Sequence, residues 1–550
     1  MRNFGGLVAF VLLLPVAMAW GQEETELAPI EVIGTTPFQG SQIPIDEYPG
    51  AAQTADGEDI ERSAVLNFNS FLNQEFGSVH VNDAVNNPFK PDLHYRGYTA
   101  SPLLGLPQGL SIYQDGVRVN EPFGDAVNFD FIPLAAIASV DLVPGSNPIF
   151  GLNTLGGALN IKTKDGFSHP GLEVRAFGGD FGRYGGHIAY GGNQDDLGWF
   201  VLGQMVKEDG WRDFSKSEVY QFFGKVTKLT DHGEINLSMT AADNTLRGNG
   251  AVPVGLVERE GRDAIFTYPD ETKPDLLFFN LRGVRHFTSD VALAWGAYYR
   301  SSDTTTFNGD GTEYEQCDPP DDRFLCDEDG EIVQTVNGQN INFIAPMDGT
   351  QNTSDLEQDG YGLSLQLSTP GLFGGTLITG ATVDYASSSY RAGQEVARLT
   401  DERGTIGYGL FPAEPVTRAT TRHSTIGVFA LHRMPLFTPT VEWTLGGRYN
   451  YTNIEINDRN PRFAFLGPDT TSLNGESQYK RLNLFTGLTW DVTDTLTLFG
   501  NAGQSSRAPT PLELSCANPD APCRFPNGLV DDPPLEAVVA TTFAVGARGA

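Results

Sequence analysis

From about Gly171 onward the chain keeps returning to one pattern, in which apolar and polar side chains alternate over segments of about ten residues. Ile235, Leu237, Met239 and Ala241 are apolar, and Glu234, Asn236, Ser238 and Thr240 between them are polar. Tyr361, Leu363, Leu365 and Leu367 alternate with Gly362, Ser364, Gln366 and Ser368. The pattern recurs from Val441 to Arg448 and from Arg481 to Trp490. A period of two places alternate residues on opposite faces of a sheet. Such a sheet is either a soluble sandwich with one buried face or a barrel that crosses a membrane.

Two features favour the membrane barrel. A tilted strand of about ten residues crosses a bilayer. The connections also alternate in length: Asp231-His232-Gly233 and Ser289-Asp290 are tight turns, whereas the stretches near 247–273 and 308–358 are long and polar. Trp199, Trp211, Tyr298, Tyr299, Tyr449, Tyr451 and Trp490 fall near segment ends, where an interfacial aromatic girdle belongs. About fourteen such strands fit between Gly171 and Ala550.

Composition agrees. The chain carries 36 Lys and Arg against 69 Asp and Glu, a formal charge of −33, which argues against a nucleic-acid partner. With 63 glycines, 11% aromatics and only 19% charged residues it reads as strands and turns, not coiled coil. The eight histidines are scattered, with no HExxH, G-x-S-x-G or P-loop, so no enzyme and no metal site is expected.

The N-terminus has Arg2, the apolar run Leu7 to Leu14, and Ala17-Met18-Ala19 as a small-residue cleavage site, which predicts a signal peptide over 1–21. Residues 22–40 predict an extended tether with one apolar patch, Ala28 to Gly34. Residues 41–165 predict a compact α+β domain with a capped helix from Asp59 to Phe71 and a hairpin from Ser111 to Asn120 around Asp115-Gly116. The barrel then occupies 171–550.

An ordered series of motifs resembles the TonB-dependent outer-membrane receptors. Pro29-Ile30-Glu31-Val32-Ile33-Gly34 is similar to the TonB box, the segment gripped by a periplasmic energy-coupling protein. Leu93 to Tyr98, Ile112 to Val117, Ile137 to Val143 and Gly151 to Lys164 resemble successive pieces of the plug domain, and Arg507 to Leu514 resembles a segment of the barrel. The spelling from Phe150 to Gly157, with Asn128-Phe129-Asp130, is nearest the ferric-citrate branch. Pro144-Gly145 stands where the family usually has Arg-Gly, which puts an ionic latch between plug and barrel at that point in doubt.

The resemblance implies an all-β transmembrane barrel of the 22-stranded type with the α+β plug in its lumen. Fourteen strands leave eight to follow, so the chain reads as truncated at its C-terminus. It further implies residence in the Gram-negative outer membrane among lipid and lipopolysaccharide, TonB as partner through Pro29, Ile30, Glu31, Val32 and Ile33, and active import of a scarce chelate. That chelate is a ferric siderophore or ferric citrate, bound as substrate and not as a resident cofactor. Vitamin B12, heme and oligosaccharide remain alternatives, and a passive porin is the alternative of another class, opposed by the plug and the TonB box. No signalling domain is expected, because too few residues precede Pro29.

Substrate is expected on the plug tips, Tyr98 to Gly105 and Glu121 to Phe131, and on the long loops. Arg96, Tyr98, Tyr113, Arg118, Phe123 and Asn128 are the candidate contacts, since arginine pairs well with carboxylates. Arg96 also reads as a structural plug residue. Cys317 with Cys326, and Cys516 with Cys523, are spaced for local disulfides in loops. Between Asn308 and Glu331 there are ten Asp and Glu and one Arg, which reads as a solvated acidic loop able to reach lipopolysaccharide through divalent ions.

Overall fold

A computed structural model describes residues 32–83, 85–413, 416–459, 473–516 and 535–549. The signal peptide and Pro29, Ile30 and Glu31 lie outside the described residues.

The N-terminal part begins with β1 (Val32–Gly34), paired antiparallel with β2 (Gln42–Pro44) in the register Val32 to Pro44 and Ile33 to Ile43. Next come β3 (Gln53–Asp56), α1 (Gly57–Ser63), α2 (Phe68–Glu75), β4 (Val79–Asn82), β5 (Asp92–Tyr95), β6 (Tyr98–Ala100), β7 (Leu110–Gln114), β8 (Val117–Arg118), β9 (Ile137–Pro144) and β10 (Gly157–Thr163). One sheet has the order β3-β9-β10-β7-β8, and β4-β5-β6 form a second. The helices cover a core that includes Phe68, Phe71, Leu72, Leu110, Ile112, Val140 and Ile161, all nearly free of solvent.

The single helix predicted from Asp59 to Phe71 is two. Asp56 accepts hydrogen bonds from the Glu58 and Asp59 amides and starts α1, which ends where Ala64 turns left-handed, and Asn67 caps a fresh start at α2. Two N-cap residues eleven positions apart specify two helices. The predicted hairpin is β7–β8, with Asp115 (φ 49°) and Gly116 (φ 86°) both left-handed, as a two-residue turn that follows strand twist requires.

The C-terminal part is a meander: β11 (Gly171–Gly178), β12 (Tyr184–Gln194), β13 (Leu197–Glu208), β14 (Ser217–Thr230), β15 (Gly233–Arg247), then helix α3 (Val254–Glu260), β16 (Asp270–Thr288) and β17 (Val291–Gly311). The short loop strands β18 (Glu315–Gln316) and β19 (Leu325–Cys326) precede β20 (Gly349–Pro370), β21 (Thr376–Leu399) and the side strand β22 (Thr405–Leu410). β23 (Thr417–Leu436), β24 (Thr438–Asp458), β25 (Gly475–Thr493), β26 (Leu496–Arg507) and β27 (Val538–Gly549) complete it. Fourteen strands follow one another antiparallel from β11 to β27 in a fifteen-stranded sheet whose remaining member, β22, pairs with β21. No described helix is long and apolar enough to cross a membrane, which says nothing of strands.

Polarity is inverted relative to a soluble sheet. Leu237 is 50% exposed while its neighbours Asn236 and Ser238 are 3% and 6% exposed. Leu363, Leu365, Leu482 and Leu484 likewise face outward. Apolar residues outside and polar ones inside mark a wall against lipid.

The predicted segments were about ten residues long, yet β20 and β21 have 22 and 24. The strands run on past the lipid, where the outward residues become polar and the hydrophobic signal stops. Phe279, Tyr299, Tyr361 and Tyr385 are successive cross-strand partners on the outer face, and the last two rings stack at 5.2 Å. Further along, the outward partners are Asp243, Asp275, Asp303 and Glu357. The aromatic row therefore borders the apolar band. Tyr298, predicted in the girdle, instead points into the lumen and donates to Asp384 at 2.9 Å, because it has the opposite phase from Tyr299.

Candidate functional site

The N-terminal domain sits inside the wall as a plug, and two of its carboxylates are bolted to barrel cations. Glu121 is 2% exposed. Arg300 of β17 donates Nη1 and Nη2 to its two oxygens at 2.7 and 2.6 Å. Ser302 and Gln358 of the barrel and Asn128 of the plug add bonds of 3.1, 3.0 and 3.1 Å. A bidentate guanidinium with three further donors satisfies a buried carboxylate fully.

Asp115 is the second bolt. Arg282 of β16 lies 2.9 Å from Oδ1 and Lys225 of β14 3.7 Å from Oδ2. The Thr163 amide and hydroxyl also donate to it. Burial pushes the Asp115 carboxyl up, but Arg282, Lys225 and the Thr163 bonds outweigh this and hold it below the usual value. Both bolts, like Glu47 with Arg433, set a plug acid against a barrel base away from Pro144, where the sequence left a latch in doubt, and Lys164 with Glu173 runs the other way.

Between the plug and β16 to β24 lies a cavity of about 150 Å³ lined by Arg118, Arg282, Arg300 and Arg448 against two carboxylates, Asp115 and Asp384. Three of these arginines are already paired, Arg118 with Asp125, Arg282 with Asp115 and Arg300 with Glu121.

The residues proposed from sequence as substrate contacts fall into three places. Tyr113 and Arg118 line the cavity. Tyr113 donates to the Phe150 carbonyl, and Arg118 pairs with Asp125 and donates Nε to Ser111 at 3.2 Å. Phe123 and Asn128 belong to the segment around Glu121, where Phe123 stacks on Tyr390 of β21 at 5.2 Å and Asn128 is spent on Glu121. Arg96 and Tyr98 lie apart from both groups. Arg96 is exposed in the β5–β6 turn over the Tyr95 ring, and Tyr98 packs where Gly109 and Gly156 leave no room for a Cβ. Sequence reading missed Asp115, Glu121, Lys225, Arg282 and Arg300. The available signal was a base at an inward-phase position, flanked in that phase by uncharged residues, as Arg300 is between Tyr298 and Ser302.

Of the TonB-box residues, Val32 and Ile33 are described. Val32 is exposed, whereas Ile33 is buried against Ile43, Tyr113, Val143 and Phe150. From Val32 onward the predicted tether is therefore packed into the fold. The following turn reaches the end of the barrel with the short connections: Gln39 donates to Glu234 and Thr36 to Gln366, both at 2.7 Å. Pro37 and Phe38 lie against Gly116, beside the Asp115 bolt.

Cys317 and Cys326 form a disulfide with Cα atoms 4.9 Å apart. Cys516 is also disulfide-bonded, and its predicted partner Cys523 lies outside the described residues. Among the described residues no group of three or more His, Cys, Asp or Glu is placed to hold a metal.

Comparison with known proteins agrees with this architecture. The family model for the TonB-dependent receptor-like β-barrel matches residues 210–550, and that for the TonB-dependent receptor plug domain matches 44–158. A vitamin B12 transporter of Photobacterium profundum is 32% identical over 127 residues, which is 22% of this chain and 19% of that protein. Among solved structures, the closed form of the ferric-catecholate import receptor of Escherichia coli K12 superposes with a TM-score of 0.68 at 14% identity, covering 95% of this chain and 73% of that one. The unliganded ferric citrate transporter superposes with a TM-score of 0.63 at 14% identity, covering 84% of this chain, which spans 64% of that transporter. The chain belongs to the TonB-dependent receptors, plugged β-barrels of the Gram-negative outer membrane that are not enzymes.

Proposed function

We propose that this chain forms the plug and barrel wall of an importer that takes an anionic ferric chelate, a siderophore or ferric citrate, across the outer membrane at the expense of energy delivered by TonB. The single observation that carries this reading is the lumen lining, where four arginines, Arg118, Arg282, Arg300 and Arg448, converge on one cavity, three of them held in place by Asp125, Asp115 and Glu121. Guanidinium groups suit carboxylate or catecholate oxygens on a chelate. The bolted plug supports the need for energy, because its buried ion pairs with the barrel must be broken before it can move. The position of the Thr36–Gln39 turn at the short-connection end supports access of a periplasmic coupling protein to Pro29, Ile30, Glu31, Val32 and Ile33.

The test is uptake of radiolabelled ferric citrate and ferric siderophores by energised cells carrying the receptor, compared with Ile30→Pro and Val32→Pro. Proline removes a backbone donor from a segment that must add to a partner's strand. Uptake abolished by either substitution and by a protonophore is expected. Uptake that survives both removes energy coupling through this segment.

Cobalamin import is a second reading, favoured by the 127-residue similarity to a vitamin B12 transporter. The same cells given labelled cobalamin separate the two: accumulation of cobalamin with no ferric chelate uptake selects it.

A further inference from the structure

Of the four arginines on the lumen cavity, three are taken by protein carboxylates. Arg448 of β24 differs: among the described residues it forms no ion pair. It is 5% exposed. Its Nε donates to Asn450 Oδ1 at 2.8 Å and its Nη2 to Thr382 Oγ1 at 2.6 Å, and the guanidinium lies 5.5 Å from the centre of the Phe429 ring. All three neighbours belong to the barrel, so the wall alone fixes the plane of the group. Nη1 is left unspent at the cavity. The carboxylate that acts on it, Asp384, takes the Tyr298 hydroxyl at 2.9 Å and makes no ion pair with it. The plug residue beside it is Gly151, which carries no charge.

The cavity is a column along the wall. On β17 its lining runs from Ala294 to Ser302, about 26 Å of extended strand. The Ser302 end holds the Glu121 bolt, with Arg300 and Gln358. The Ala294 end meets the β1–β2 turn: Pro37, Phe38 and Gln39 line the cavity, and Gln366, the cross-strand partner of Ala294, accepts from Thr36. Arg282 and Arg300 become available to a solute only after their plug acids let go. Arg448 is available whether or not the bolts hold. A solute bearing carboxylate or catecholate oxygens therefore meets it as the one guanidinium of the four with no protein carboxylate to displace. A fork already oriented by fixed bonds loses little freedom on engaging such oxygens.

We propose that Arg448 is the wall contact for the anionic chelate during passage, engaged after the chelate leaves the outer surface and before it reaches the β1–β2 turn. This rests on the import of an anionic ferric chelate.

The test compares the native receptor with Arg448→Gln and Arg448→Lys, using labelled ferric citrate and ferric siderophores. Surface binding is measured in cells treated with a protonophore, and uptake in energised cells. Binding is expected to be unchanged in both variants. The maximal uptake rate should fall about tenfold or more in Arg448→Gln, as the loss of one charge-assisted contact implies. Arg448→Lys keeps the charge without the two-pronged donor and should recover only part of that rate. Thr382→Val keeps the guanidinium and removes a bond that orients it. It is expected to slow uptake about threefold and supplies the reading if Arg448→Gln does not reach the membrane. A native rate in Arg448→Gln, full recovery in Arg448→Lys, or weakened surface binding with the maximal rate unchanged overturns the proposal and leaves import standing. No ferric chelate uptake by the native receptor overturns the import reading itself, and this proposal with it.

Discussion

Arg300 of the barrel grips Glu121 of the plug with both terminal nitrogens, at 2.7 and 2.6 Å, in a site where neither side chain reaches more than a tenth of its open exposure. Removing one partner from such a pair strands the other. Arg300→Ala is expected to cost on the order of 3–5 kcal/mol. Glu121→Leu combined with Arg300→Leu should cost less than either single change. Hydrogen exchange of the plug amides measures this, and a double variant worse than both singles would show that the pair is not the unit.

Asp115 gives a pH dependence of definite sign. Its folded pKa is depressed, since Arg282, Lys225 and Thr163 overcome the opposing effect of burial. A depressed carboxyl contributes stability above its unfolded pKa of about 3.9 and loses it as pH falls through the folded value. Plug protection should therefore hold from neutral pH to below the ordinary carboxylate range and then fall. Asp115→Asn should weaken the plug at neutral pH and flatten that acid limb. Proteolysis of the plug across pH reads both.

Ile33 fixes the end of the TonB-box segment by burying its side chain among Ile43, Tyr113 and Phe150. Ile33→Ala is expected to cost about 2–4 kcal/mol locally. Amides of 32–44 should exchange faster while the barrel melts unchanged.

The lipid-facing assignment is checked by insertion of charge. Leu363→Arg, on the apolar band, is expected to destabilise the barrel by about 2–4 kcal/mol in bilayers. Glu357→Arg on the same face of β20, beyond the aromatic row, should stay within about 1 kcal/mol. Urea titration of the membrane-embedded protein separates them.

The loop between β17 and β20 is closed by Cys317–Cys326 and packs Leu325, Val333, Ile341 and Met347 against Val396 of β21. Cys317→Ser with Cys326→Ser is expected to loosen only this loop, seen as faster exchange over 312–348 with the barrel Tm held.

The fold was legible where lipid enforces it. Leu363, Leu365 and Leu367 had to be apolar and their neighbours had to suit water, so alternation announced strands there. Beyond Tyr361 the outward residues Asp359 and Glu357 answer to water, the inward Gln358 is polar because it serves Glu121 of the plug, and the strand continues without a hydrophobic mark. The bolts were hidden for another reason. Asp115 reads as a turn residue and is one, with φ 49°, and its second role depends on Arg282 and Lys225, far away in sequence and brought near only by closure of the wall around the plug. Arg96 stood out by motif, yet its side chain is exposed in a turn.

The β1–β2 hairpin has a mechanical consequence. Its three rungs open at the Val32–Pro44 end, which is where the chain arrives from the N-terminus, and its closed end is the turn that touches Gly116. A pull on the N-terminus loads these rungs one after another, as in opening a zipper, and not together as in shearing two ribbons. The hairpin therefore acts as a fuse of low tensile strength in series with the Asp115 and Glu121 bolts. Slack is drawn out first, through Thr36 and Phe38, and only a taut chain delivers force to the turn that carries Asp115.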